Sequence, residues 1–187
     1  MAELKRDEYP RSNGYDADWV LAGDMGPHPL WLLEDLARDL ELRPGMRVLD
    51  LGSGKGTTSV FLALEYGVQV WAADLWIGQI GVATPALRKE IRELGRIPDH
   101  IKKLVGWEAL AWHTADWWRF QWEITELVEV TAARLQESGW ADWLAWSRAV
   151  SEQRGTRDGA LDMLEADQGE YLTFALIAAR TEPACRS

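Results

Sequence analysis

The stretch Met46-Arg-Val-Leu-Asp-Leu-Gly-Ser-Gly-Lys-Gly56 constrains this chain more than any other. Met46, Val48 and Leu49 lead into Asp50, and Gly52, Gly54 and Gly56 then recur at every second position. That pattern is a buried strand ending in a glycine turn. Residues 57–66 follow as a helix with Val60, Phe61, Leu62 and Leu64 as its expected apolar face. A strand, a glycine turn and a helix N-terminus in that order make a site for a nucleotide-like ligand. Glycine lets the backbone pass close to the ligand, and the first-turn N–H groups have no partner inside the helix. Val68-Gln-Val-Trp-Ala-Ala-Asp74 reads as a second strand ending in a carboxylate, where βαβ units hold a ribose. A glycine turn without a ligand is the plainer alternative.

The glycine spacing separates the nucleotide classes. The dinucleotide fingerprint is G-x-G-x-x-G, whereas this turn is G-x-G-x-G with Thr57 at the place of the third glycine. Asp50, ahead of the first glycine, is foreign to that fingerprint too. At these residues the sequence resembles the class I S-adenosylmethionine-dependent methyltransferases. Their first motif is an acid followed by G-x-G-x-G at the end of the first strand. Asp50-Leu-Gly52-Ser-Gly54-Lys-Gly56 matches it at every defined position, and Asp74 matches the acid that ends the second strand. The resemblance implies an α/β fold with a Rossmann-like methyltransferase sheet and helices on both faces. It implies S-adenosylmethionine as cofactor, held by Asp50, Gly52, Ser53, Gly54, Gly56, Asp74 and Leu75, and methyl transfer to a small-molecule acceptor.

One departure from that family stands out. Gly78-Gln-Ile-Gly-Val-Ala-Thr-Pro85 reads as a strand only a few residues after Asp74. A parallel neighbour needs a crossover of roughly a dozen residues or more, so the two cannot be adjacent parallel strands. The stretch is similar to the family's fifth strand, which implies a sheet shortened in its middle, without strands three and four. Strand 68–74 then becomes an edge, and an uncovered edge invites pairing with a second copy. A homo-oligomer is the expectation.

The remaining chain fits one domain over residues 1–187. Residues 1–27 read as an irregular leader. By resemblance it is a lid over the cofactor, bringing Asn13, Gly14, Tyr15, Met25 and Gly26 near; a plain N-terminal arm is the alternative. Residues 28–40 form an amphipathic helix with Pro29 in its first turn and His28 at its entry. Further helices are expected over 86–94, 113–124, 140–150 and 159–166, and strands over 127–133 and 171–180. The segment from Ile97 to Trp107 is irregular or helical.

Other constellations carry less chemistry. His113 with Asp116 is a candidate acid–base pair, against a capping and solvation role at a helix start. Glu34 with Asp35 and Glu123 with Glu126 read as solvated faces. Lys55 precedes Gly56 rather than a Ser or Thr, so the turn is not a phosphate-binding P-loop. Twelve tryptophans, clustered at 107–122 and 140–146, supply packing area or a pocket for a flat or cationic substrate.

A formal charge of −10 argues against a nucleic-acid partner. No apolar run spans a membrane, and the charged N-terminus lacks a signal-peptide core, so the expected compartment is the cytoplasm. The single cysteine, Cys185, offers neither a disulfide nor a metal-ligand pattern, and no metal is expected. Two further function classes stay open: a cofactor-binding protein without chemistry, and a nucleotide-cofactor oxidoreductase.

Overall fold

The computed structural model describes residues 4–23, 27–73 and 84–181. The chain divides into two compact units, one of Met1–Gln79 with Asp142–Leu161, the other of Ile80–Ala141 with Asp162–Ser187. The fold is α/β, as the sequence implies.

In the first unit, β1 (Arg47–Leu51) and β2 (Gln69–Ala73) pair in parallel, with Val48 opposite Val70 and Asp50 opposite Ala72. The helix α3 (Thr57–Tyr66) joins them. Gly56 and Gly67 bracket it, both in the left-handed conformation that a β-carbon disfavours. Asp50 reaches the first turn of α3, so alternation puts Val48 on the same face of the sheet. Leu49, Leu51 and Trp71 lie on the other face and are 64%, 57% and 66% exposed.

The core of this unit is helical. Val20 and Leu21 of α1 (Ala17–Ala22), Leu30 of α2 (Pro29–Ala37) and Phe61 of α3 pack with Trp146, Ala149 and Val150 of α7 (Gly139–Arg154). Burying a side chain such as Leu30 or Phe61 contributes about 1.5–3 kcal/mol. The expected apolar face of α3 is corrected here. Phe61 and Leu62 are buried, whereas Val60 and Leu64, which share a stripe four residues apart, are exposed. The leader is corrected as well, since α1 lies inside it. The Asp16 carboxylate caps that helix by accepting from the Trp19 N–H at 2.9 Å.

In the second unit, β3 (Glu129–Leu135) and β4 (Ala175–Arg180) pair antiparallel, with an irregularity between Val130 and Ala132. The helix α6 (Ala115–Glu123) packs against both strands. The same unit holds α4 (Pro85–Leu94), α5 (Asp99–Val105) and the part of α8 (Gly159–Asp167) from Asp162 onward. Both strands start later than the sequence suggests, for local reasons. Thr125 Oγ1 accepts from the Leu127 N–H at 3.2 Å beside Glu126, whose φ is 56°, so the chain is still turning there. The Asp167 carboxylate likewise holds the Tyr171 and Leu172 N–H groups at 3.3 and 3.1 Å, out of the ladder.

The strand expected over 80–84 and the continuity of residues 74–80 lie outside the described residues, apart from Thr84. That residue caps α4 by accepting from the Leu87 N–H at 3.3 Å. No helix among the described residues is long and apolar enough to cross a membrane.

Candidate functional site

The glycine turn is built by backbone conformation. Gly52, Gly54 and Gly56 have φ of 83°, 51° and 82°, where any other residue is strained. Crowding is not the reason at Gly52 or Gly56: a β-carbon on either would meet nothing within 4 Å among the described residues. Gly52 and Ser53 donate their N–H groups to the Ala73 carbonyl at 2.7 and 3.3 Å, extending the β1–β2 pairing into the turn. Gly56 N–H closes the turn on the Ser53 carbonyl at 2.8 Å. Further donors lie in the first turn of α3. The N–H groups of Thr57, Thr58 and Ser59 have no acceptor among the described residues.

Asp50 serves this helix. Its Oδ2 accepts from the Thr58 and Ser59 hydroxyls, each at 2.6 Å, which fixes the first turn of α3 against the end of β1. Its other oxygen, Oδ1, has no partner among the described residues. Neither hydroxyl figures in the motif itself, although both are visible in the sequence once α3 is placed.

The leader meets the turn through residues the sequence did not mark. Lys55 Nζ donates to the Ala22 carbonyl at 2.6 Å, and a β-carbon on Gly23 would lie 2.3 Å from Thr57 Oγ1. Gly23 is thus required by close approach to the start of α3. The residues expected near the ligand lie differently. Tyr15 donates to Glu65 Oε1 at 3.0 Å, at the opposite end of α3 from the glycine turn. Its phenol is pushed up to about 12 by burial and by Glu65. Asn13 clasps Arg6, donating to its carbonyl at 2.8 Å and accepting from its N–H at 3.0 Å, while Gly14 lies between them and Tyr15. Met25, Gly26, Asp74 and Leu75 lie outside the described residues.

His113 belongs to the second unit, where it stacks on Trp117 at 3.7 Å and 10°. Burial and then the Arg88 charge push its pKa below the ordinary imidazole value. No hydrogen bond or ion pair among the described residues joins it to Asp116. The arrangement is aromatic packing at a helix start, with Thr114 Oγ1 supplying the cap to the Trp117 N–H at 3.4 Å. No group of three or more metal-ligating side chains occurs among the described residues.

The first unit thus carries a Rossmann-like β–α–β element whose glycine turn opens beside a helix N-terminus. Two solved structures are similar to the chain in outline. One is a SAM-dependent methyltransferase from Geobacter sulfurreducens in complex with S-adenosyl-L-homocysteine, 14% identical, with a TM-score of 0.46 over 97% of this chain and 100% of that one. The other is YjhP from E. coli, 12% identical, with a TM-score of 0.45 over 92% of this chain and 99% of that one. No protein-family model matches the chain, and no curated protein matches it.

Proposed function

We propose that the chain binds S-adenosylmethionine at the Gly52–Gly56 turn and transfers its methyl group to a small-molecule acceptor. One observation carries this reading: the acid–G-x-G-x-G motif sits between parallel strands, with all three glycines left-handed. The Thr57, Thr58 and Ser59 N–H groups suit the cofactor's carboxylate. Asp50 Oδ1 faces its ammonium, while Oδ2 stays on the helix. Asp74 accepts from the ribose hydroxyls, and Leu75 is a further cofactor-binding residue beside it. The bound sulfonium supplies an already activated methyl group. The chain's own contribution is placement in line with the acceptor and exclusion of water.

The decisive measurement is thermal. S-adenosylhomocysteine should raise the melting temperature, and Asp74→Ala should weaken its binding roughly 100-fold, as loss of two charge-assisted hydrogen bonds implies. An unchanged shift in the variant would remove Asp74 from the site, and no shift in the parent chain would end the reading. A cofactor-binding protein without chemistry is the second reading, favoured by the packed state of His113. A product assay across small amines, phenols and carboxylates separates the two.

Self-association belongs to the same proposal. Among the described residues β1 and β2 pair with no third strand, and Leu49, Leu51 and Trp71 lie bare on one face. Light scattering should show a mass that rises with concentration through a second copy on this face. A constant monomer mass would refute it. Nucleic acid is not a proposed partner, given the charge of −10.

A further inference from the structure

The second unit contains a cavity of about 670 Å³ that the glycine turn does not explain. Its volume suits a small organic ligand. Ile97 and Leu110 give it apolar wall, and Trp107 and Tyr171 give it ring faces. Its charges cancel in kind. Arg96 and Lys102 stand with Glu90 and Asp99, and Arg96 is held by Glu90 at 2.6 Å. A neutral ligand meets no electrostatic objection there.

His100 also lines this cavity, and a buried carboxylate fixes how it does so. Its Nε2 lies 3.1 Å from Asp167 Oδ1, and the Asp167 side chain is 0% exposed. The Asp167 oxygens already accept from the Tyr171 and Leu172 N–H groups, so the carboxylate itself is held rigidly. An ionised carboxylate only accepts hydrogen bonds, so in the neutral ring the hydrogen must sit on Nε2. Nδ1 is then a lone-pair acceptor. The Tyr171 ring steadies the imidazole, with centroids 5.9 Å apart.

We propose that this cavity binds a small, neutral, planar aromatic molecule through an O–H or N–H group that donates to His100 Nδ1, with Asp167 setting the tautomer. Trp107 is the stacking surface: it is 71% exposed and carries Lys102 Nζ at 5.2 Å from its ring centroid. The site is independent of the cofactor reading, and binding at each is measured separately.

Phenol and anisole are the probes, because they share a ring and differ in the O–H donor. Titrated into the full chain and followed by NMR, phenol should bind roughly ten-fold more tightly than anisole, the size of one net hydrogen bond. Long-range imidazole spectra should report the Nε2–H tautomer at His100. His100→Phe keeps a ring and removes the acceptor, so the preference for phenol should vanish. Asp167→Asn presents an amide donor to Nε2, moves the ring hydrogen to Nδ1, and should abolish the preference as well. If that buried variant does not fold, the half-buried His100→Phe and the tautomer spectrum decide the matter. Equal binding of the two probes, no binding of either at millimolar concentration, or an Nδ1–H tautomer in the parent chain would overturn the proposal.

Discussion

Glu34→Ala is expected to lower the unfolding free energy by about 4 kcal/mol, a large share of what a domain of this kind possesses. The Glu34 side chain was expected on a solvated face, but the residue is only 6% exposed. Its carboxylate accepts from the Ser12 N–H at 2.8 Å, the Ser12 hydroxyl at 2.6 Å and the Arg11 N–H at 3.0 Å. Alanine would leave the two buried Ser12 donors without an acceptor, which is more damaging than losing a matched pair. The damage should spread along the leader. Tyr9, stacked on Trp31 at 5.7 Å and donating to Asp142 Oδ2 at 2.9 Å, depends on the same approach of leader to helix. Urea unfolding of the variant, with limited proteolysis of residues 4–16, measures both effects. A loss below about 1 kcal/mol would show that the carboxylate does not hold the leader.

The second large effect is on pH dependence, and it comes from His28. This ring is buried, stacks on Trp31 at 4.1 Å and 2°, and meets the edge of Trp146 at 4.8 Å. Its Nδ1 caps α2 by accepting from the Trp31 N–H at 3.2 Å, a bond only the unprotonated nitrogen makes. Burial lowers its pKa from 6.5 to about 3. The unfolded chain therefore takes up a proton below 6.5 that the folded chain refuses until about 3. Stability falls with pH across that window, by about 2 kcal/mol between roughly pH 7 and pH 5. His28→Asn keeps a capping side chain and removes the titration. It should start less stable, because the stacking is gone, and then lose about 2 kcal/mol less than the parent over the same range. Carboxylates contribute equally to both chains, so a parallel fall in the two would refute the assignment to His28.

Much of the local structure was legible in the sequence because it is punctuated by residues with strong backbone preferences. Gly56 and Gly67 bound α3, Pro29 opens α2, and Thr114 caps α6, whereas Thr84, which the sequence places at a strand end, caps α4. α1 is less legible: Asp16 ahead of Val20 and Leu21 carries the same capping signature, but the glycines on either side read as a loop. The burial of Glu34 and Asp35 was not legible at all. A carboxylate on a helix reads as a solvent group until the donors that face it, here distant in sequence, are known. Asp50 shows a middle case. The motif marks the residue, but its partners Thr58 and Ser59 emerge only when the strand end and the helix start are set side by side.

The first unit is not one stretch of chain, and this governs the order in which it can form. Trp146, Ala149 and Val150 close over Val20, Leu21, Leu30 and Phe61, although the second unit's residues 80–141 intervene. During synthesis the β1–α3–β2 segment leaves the ribosome long before its cover does. Its apolar surface must wait, unshielded, until α7 emerges. Contacts so far apart along the chain also slow folding, since loop closure precedes any gain from burial. Slow folding of the nascent chain, rather than fragility of the finished protein, is the expected consequence of a unit whose two segments lie apart in sequence.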